Sequence, residues 1–222
     1  MTPDYARTIG DDYADYTDDE LGYNYHASEV ISASEANRLQ QIKLLRSKKL
    51  NALEKRLDDP SDLQRWALAR RRLADGDRPA YFKHVNAVVD SPMDHPALHY
   101  PEIFVDLARQ HALDDDLDAA LDVAARIEEH WPELSEAIPL LNAQLLLCTG
   151  RPDDAHEAFE DALTELDGDD VDLLIETAED FIRYDAFEHA RVWLDHAEET
   201  AHDIGDDASI VDIKLLRAEI SE

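Results

Sequence analysis

The chain has 222 residues, with 21 Lys+Arg against 52 Asp+Glu and a formal charge of −31, and 44% of it is apolar. That length suits one domain, or one with an arm, and the apolar share is that of a folded chain. So acidic a surface disfavours nucleic acid or an anionic membrane as partner of the whole molecule; one cysteine, Cys148, excludes an internal disulfide and a Cys-rich zinc site; and six Gly with nine Pro are too few for a turn-dense β-sandwich.

The N-terminus, Met1-Thr2-Pro3-Asp4-Tyr5, has neither the basic nor the apolar stretch of a signal peptide. No apolar run approaches the roughly 18 residues that span a bilayer. A cytoplasmic protein with no membrane partner is expected. Residues 1–27 place Tyr5, Tyr13, Tyr16, Tyr23 and Tyr25 among acids and show no aliphatic periodicity. They read as a disordered acidic tail.

Residues 28–60 read as one long N-terminal helix. Ser32-Ala33-Ser34-Glu35 has the form of a capping box. Behind it Leu39, Ile42, Leu45, Leu50, Leu53 and Leu57 mark an apolar stripe whose phase slips near Lys48-Lys49. The helix should run from about 33 to 58 and stop before Pro60. Ser61-Asp62-Leu63-Gln64 caps a second helix, with Leu63, Trp66, Ala67 and Leu73, that ends at Asp75-Gly76. Asp77 and Pro79 open a third, which Ser91-Pro92 ends. A loop follows to Pro101.

From residue 101 onward the chain repeats every 35 residues. Ala108, Ala143 and Ala178 form one column, and Ala120, Ala155 and Ala190 a second. Larger residues recur in phase: Ala124, Phe159 and Leu194; Ile127, Ala162 and Ala197; Phe104, Pro139 and Leu174. A period of this length marks stacked supersecondary units. Small residues in register let two helix axes approach closely, so each unit is expected to be a helical hairpin. Breakers fall where the hairpins should turn, at Asp114-Asp115-Asp116, Gly150-Arg151-Pro152 and Tyr184-Asp185.

On these residues the segment 101–203 resembles the tetratricopeptide repeat (TPR) family, with a degenerate unit at 61–92 carrying Gly76, Ala80, Ala87 and Pro92. The resemblance implies an all-α, right-handed solenoid of helical hairpins over 61–222. Ala208 to Ile220 then reads as the terminal helix that caps such arrays. It also implies a concave groove lined by the first helix of each hairpin. Here that groove would carry Val105, Leu140 and Ile175, then Ala112, Leu147 and Ile182, with Arg109, Gln144, Glu179 and Arg183 beside them. Two apolar rows suit an amphipathic helix or apolar peptide. The chain's own N-terminal helix or tail would fill the same rows equally well. The expected role is a non-catalytic scaffold, adaptor or chaperone-like module that binds a protein segment.

The charge is uneven. Residues 1–37 carry a net −8, residues 38–83 a net +7, and residues 84–222 a net −30. One explanation of the basic block is internal complementarity, with basic helices packed beside acids. The other is a regulatory surface for nucleic acid or an acidic protein, formed by Lys43, Arg46, Lys48, Lys49, Arg70, Arg71 and Arg72.

Nothing points to chemistry. His95 and His99 are separated by Pro96, and His189 and His196 share a helix face without a clear third ligand, so no metal is expected. No phosphate loop or nucleophile elbow is visible. Neither an enzyme nor a cofactor is expected. Thirty-three Asp against six Lys is the surface style of proteins that work in concentrated salt, where cations screen self-repulsion.

Overall fold

The computed structural model describes residues 32–165 and 170–220. The tail expected over 1–27 lies outside the described residues. All regular structure among the described residues is helical. It divides into two compact units, residues 1–104 and 105–222.

In the first unit the single helix expected over 28–60 is two helices, α1 (Ala33–Leu44) and α2 (Ser47–Glu54). Leu45 and Arg46 between them are extended. The cause is the slip in the stripe. A five-residue step from Leu45 to Leu50 turns an unbroken helix by about 500°, which points the two leucines roughly 140° apart. Breaking the helix resets the phase, and Ile42, Leu50 and Leu53 then share one buried cluster with Leu68.

α3 (Asp62–Ala74) and α4 (Arg78–Val89) pair as a hairpin, and α1 packs on α3. The capping boxes are half-formed. Ser32 Oγ accepts from the Glu35 amide at 3.1 Å, and Ser61 Oγ accepts from the Gln64 amide at 3.3 Å. Glu35 does not reach back to its own cap; its carboxylate instead accepts the Ser61 hydroxyl. This joins the starts of α1 and α3. The Asp62 carboxylate holds the loop after α4, accepting from Ser91 Oγ at 2.5 Å and from the Tyr100 hydroxyl at 3.1 Å. Burial, reinforced by the Asp62 charge, pushes the Tyr100 phenol up to about 12.

Helix α5 spans Tyr100–Leu113, and the second unit begins within it at Val105. There follow α6 (Leu117–His130), a 3-10 turn (Pro132–Ala137), α7 (Ile138–Cys148), α8 (Pro152–Glu165), α9 (Val171–Arg183), α10 (Phe187–Ile204) and α11 (Asp207–Glu219). α7 pairs with α8, and α9 with α10. The two hairpins touch first helix to first helix and second to second. α6 packs on α7, while α11 packs on α10 and α9.

Every residue of the two alanine columns is fully buried. So are Ala124, Phe159 and Leu194, with Ile127, Ala162 and Ala197. Phe159 fills the space between α9 and α10, with ring centroids 5.6 Å from Phe181 and 6.3 Å from Trp193.

The turns repeat with the columns. Asp115, Gly150 and Asp185, 35 residues apart, all have left-handed backbone, with φ of 63°, 71° and 59°. Each turn closes with the same two bonds. Asp116, Arg151 and Ala186 donate to the carbonyls of His111, Leu146 and Phe181 at 2.9–3.0 Å, and the left-handed residue donates three residues back. This is a Schellman-type helix end. Aspartate also starts helices: Asp77, Asp116, Asp170 and Asp206 accept backbone amides as N-caps.

Candidate functional site

Three first helices of the second unit, α5 from Val105 onward, α7 and α9, are tied together by a ladder of polar side chains. Arg109 donates to Gln144 Oε1 at 3.0 Å. Gln144 Nε2 donates to Asp180 Oδ2 at 2.7 Å. Arg183 donates to the other oxygen of Asp180. Asp180 is only 7% exposed, so its charge is held by these two partners. One turn further along, Cys148 Sγ and the Tyr184 hydroxyl lie 2.8 Å apart. Burial pushes the Cys148 thiol up, against the Tyr184 hydrogen bond. That keeps it a thiol rather than a nucleophilic thiolate.

Val105, Leu140 and Ile175 lie beside this ladder. Val105 precedes Arg109 by four residues, and Leu140 precedes Gln144 by four, so each shares a helix face with its polar neighbour. All three are half-buried. Arg109, Glu179 and Arg183 are exposed, and Gln144 is half-buried.

The second expected row is different. Ala112 is 1% exposed and Leu147 2%, with Ile182 half-buried. Leu147 belongs to the core cluster with Phe159, Leu174 and Phe181. The expectation that Ala112 and Leu147 line an open groove is corrected: they face the interior. What remains is one half-open apolar row flanked by the polar ladder.

Of the ladder, Arg109, Gln144 and Arg183 follow from the repeat columns, but Asp180 does not. The Arg109–Gln144 rung keeps the 35-residue step of the columns, but the next side chains to meet across first helices step by 36, from Gln144 to Asp180 and from Cys148 to Tyr184. The expected residue, Glu179, points to solvent.

The seven basic residues singled out in the first unit do not form one surface. Arg70 lies over the Trp66 ring, with its guanidinium carbon 5.3 Å from the centroid. Arg71 pairs with Asp75 at 2.9 Å. Arg72, 4% exposed, reaches inward to Glu54 at 2.5 Å and Asn51 at 2.5 Å. Lys43 is half-buried. Only Arg46, Lys48 and Lys49 are exposed cations, and to them the structure adds Lys55 and Arg56.

Glu54 is the centre of the inward charges. Its carboxylate also accepts from Lys83 at 3.1 Å and faces His84 Nε2 at 3.0 Å. Burial alone would raise this carboxyl; the bonds from Arg72 and Lys83 override it and hold it at about 2. His84 is pushed down by burial, with Glu54 partly opposing. Arg65, Arg71, Arg72 and Lys83 are thus matched by acids of the first unit itself, whereas Arg46, Lys48, Lys49, Lys55 and Arg56 stay exposed.

Among the described residues no group of three or more His, Cys, Asp or Glu is placed to hold a metal. No helix among them is long and apolar enough to cross a membrane. Comparison of the chain with protein-family models, with curated proteins and with solved structures gave no match.

Proposed function

We propose that residues 105–222 form a TPR-like array that binds a segment of another protein along its first helices, as a non-catalytic scaffold or adaptor. The observation that carries this reading is the row Val105, Leu140 and Ile175, half-open on three consecutive first helices and bordered by the Arg109–Gln144–Asp180–Arg183 ladder. Such a surface offers a partner apolar contact along one line. It offers directional hydrogen bonding along the next, through Arg109, which donates one of its five N–H groups to Gln144. An amphipathic helix or extended peptide with one apolar edge and a carboxylate or carbonyl edge fits both lines.

The nucleic-acid alternative loses its basis at Arg70, Arg71 and Arg72, which are engaged within the fold.

The test is affinity capture from the source lysate with the wild-type chain, Leu140→Asp/Ile175→Asp, and Val192→Asp as a control on an exposed residue of α10. A nuclease-resistant protein captured by the wild type and by Val192→Asp, but lost with Leu140→Asp/Ile175→Asp at unchanged circular dichroism, supports the reading. Equal capture by all three defeats it, as does salt-sensitive recovery of nucleic acid alone.

A further inference from the structure

Helix α2 carries two stripes. Leu50 and Leu53 face inward, and Leu57 continues them. On the other side, Lys48 and Lys49, with Lys55 and Arg56 in the turn that continues the helix, fall within an arc of about 120° at 100° per residue, and Arg46 precedes them. All five are exposed, and among the described residues none has an ion pair. The helix's one acid, Glu54, is already committed to Arg72, Lys83 and His84. Next to the stripe, at the end of α1, Leu44 is 70% exposed, the most open large apolar side chain among the described residues. A surface of five unmatched cations beside an open leucine fits an occupant that is acidic and aromatic.

Residues 1–31 of the same chain have that chemistry. They hold eight acids against one arginine, with six of the acids between Asp11 and Glu20, and five tyrosines among them. Reach is ample. α1 and α2 together measure about 30 Å at 1.5 Å per residue. The stretch from Glu20 to Ser32 alone extends to about 40 Å.

We propose that the acidic, tyrosine-bearing segment 1–31 docks in cis on the basic stripe formed by Lys48 and Lys49 of α2 with Arg46, Lys55 and Arg56 at its two ends, with a tyrosine against Leu44. Carboxylates of Asp11 to Glu20 neutralise the stripe, and tyrosine rings cover the arginine and lysine stems. The segment then acts as an internal competitor for any external polyanion. This is a separate matter from the docking row of the second unit.

Two experiments on the full chain test it. Carbodiimide coupling, with mixed light and heavy isotope chains to separate contacts within a chain from those between chains, should join Lys48, Lys49 or Lys55 to Asp11–Glu20 of the same chain. The yield should fall about ten-fold in molar KCl, where charges are screened within about 3 Å. Coupling of these lysines only to Glu54, Asp58 or Asp59, or only between chains, overturns the proposal. The second uses a short fluorescent single-stranded DNA as polyanion probe. Neutralising the segment (Asp11→Asn, Asp12→Asn, Asp18→Asn, Asp19→Asn and Glu20→Gln) should tighten DNA binding in dilute salt by about ten-fold or more, and adding Lys48→Glu/Lys49→Glu should remove that gain. Wild-type protein that binds the DNA as tightly as the neutralised variant has an open stripe, which overturns the proposal in favour of a nucleic-acid surface.

Discussion

Replacing Glu54 with Gln tests whether the basic block is structural. Glu54 gathers Arg72, Lys83 and His84, and Arg72 is nearly inaccessible. The substitution keeps one oxygen for a hydrogen bond but removes the charge. Arg72 is left with Asn51 and with Asp77 at 3.7 Å. A carboxyl held at about 2 instead of 4.5 corresponds to about 3 kcal/mol of linkage. Glu54 is 19% exposed, and solvent screening reduces the net effect to about 2 kcal/mol. The sign follows from the lowered pKa: the stabilisation is complete above about 4.5 and is lost as pH falls toward 2. By about pH 3.5 roughly two-fifths of it is gone. Urea unfolding followed by circular dichroism, for wild type and Glu54→Gln, should show this loss near neutral pH and a smaller one in acid. A difference below about 0.5 kcal/mol at neutral pH, or one that does not shrink in acid, refutes the role assigned to Glu54.

Other outcomes follow from the same physics. His84 is pushed down by burial, so wild-type stability should already begin to fall as pH drops below its ordinary value of 6.5, and His84→Gln should remove that early part of the acid titration curve. Asp185→Gly and Asp115→Gly should each raise stability by about 0.5–1 kcal/mol in urea unfolding, because they relieve left-handed strain, while Gly150→Ala should lower it by about 1 kcal/mol. The space around Gly150 is open, so that loss comes from φ alone. Ala143→Leu and Ala178→Leu should each cost about 1–3 kcal/mol by forcing apart helices that meet at those columns, read as a lower urea midpoint. The −31 charge should make the melting temperature rise from dilute buffer to molar KCl; an unchanged or lower value would reject salt adaptation.

The repeat columns were legible because burial and period coincide: a residue that must be small at every hairpin recurs at 35, and every such alanine is fully buried. Even the turns carry that period, at Asp115, Gly150 and Asp185. The break in the first helix was legible only as a slip near Lys48-Lys49; its position depends on where Ile42 and Leu50 must meet Leu68, a contact distant in sequence. Arg70, Arg71 and Arg72 read as a run but act separately. Consecutive helical residues point about 100° apart, so one arginine covers Trp66, one pairs with Asp75 and one turns inward to Glu54. Asp180 was not legible in the sequence because its 36-residue step from Gln144 depends on how neighbouring helices pack, not on the repeat itself.

The docking surface of the second unit is tested most directly by methyl-resolved NMR of the full chain titrated with the captured partner segment. The expected result is saturable shifts at Val105, Leu140 and Ile175, lost with Leu140→Asp/Ile175→Asp, while Val192 and Leu215 on exposed faces of other helices stay unmoved. Shifts confined to Val192, Val211 or Leu215, with the row of the first helices silent, would contradict it.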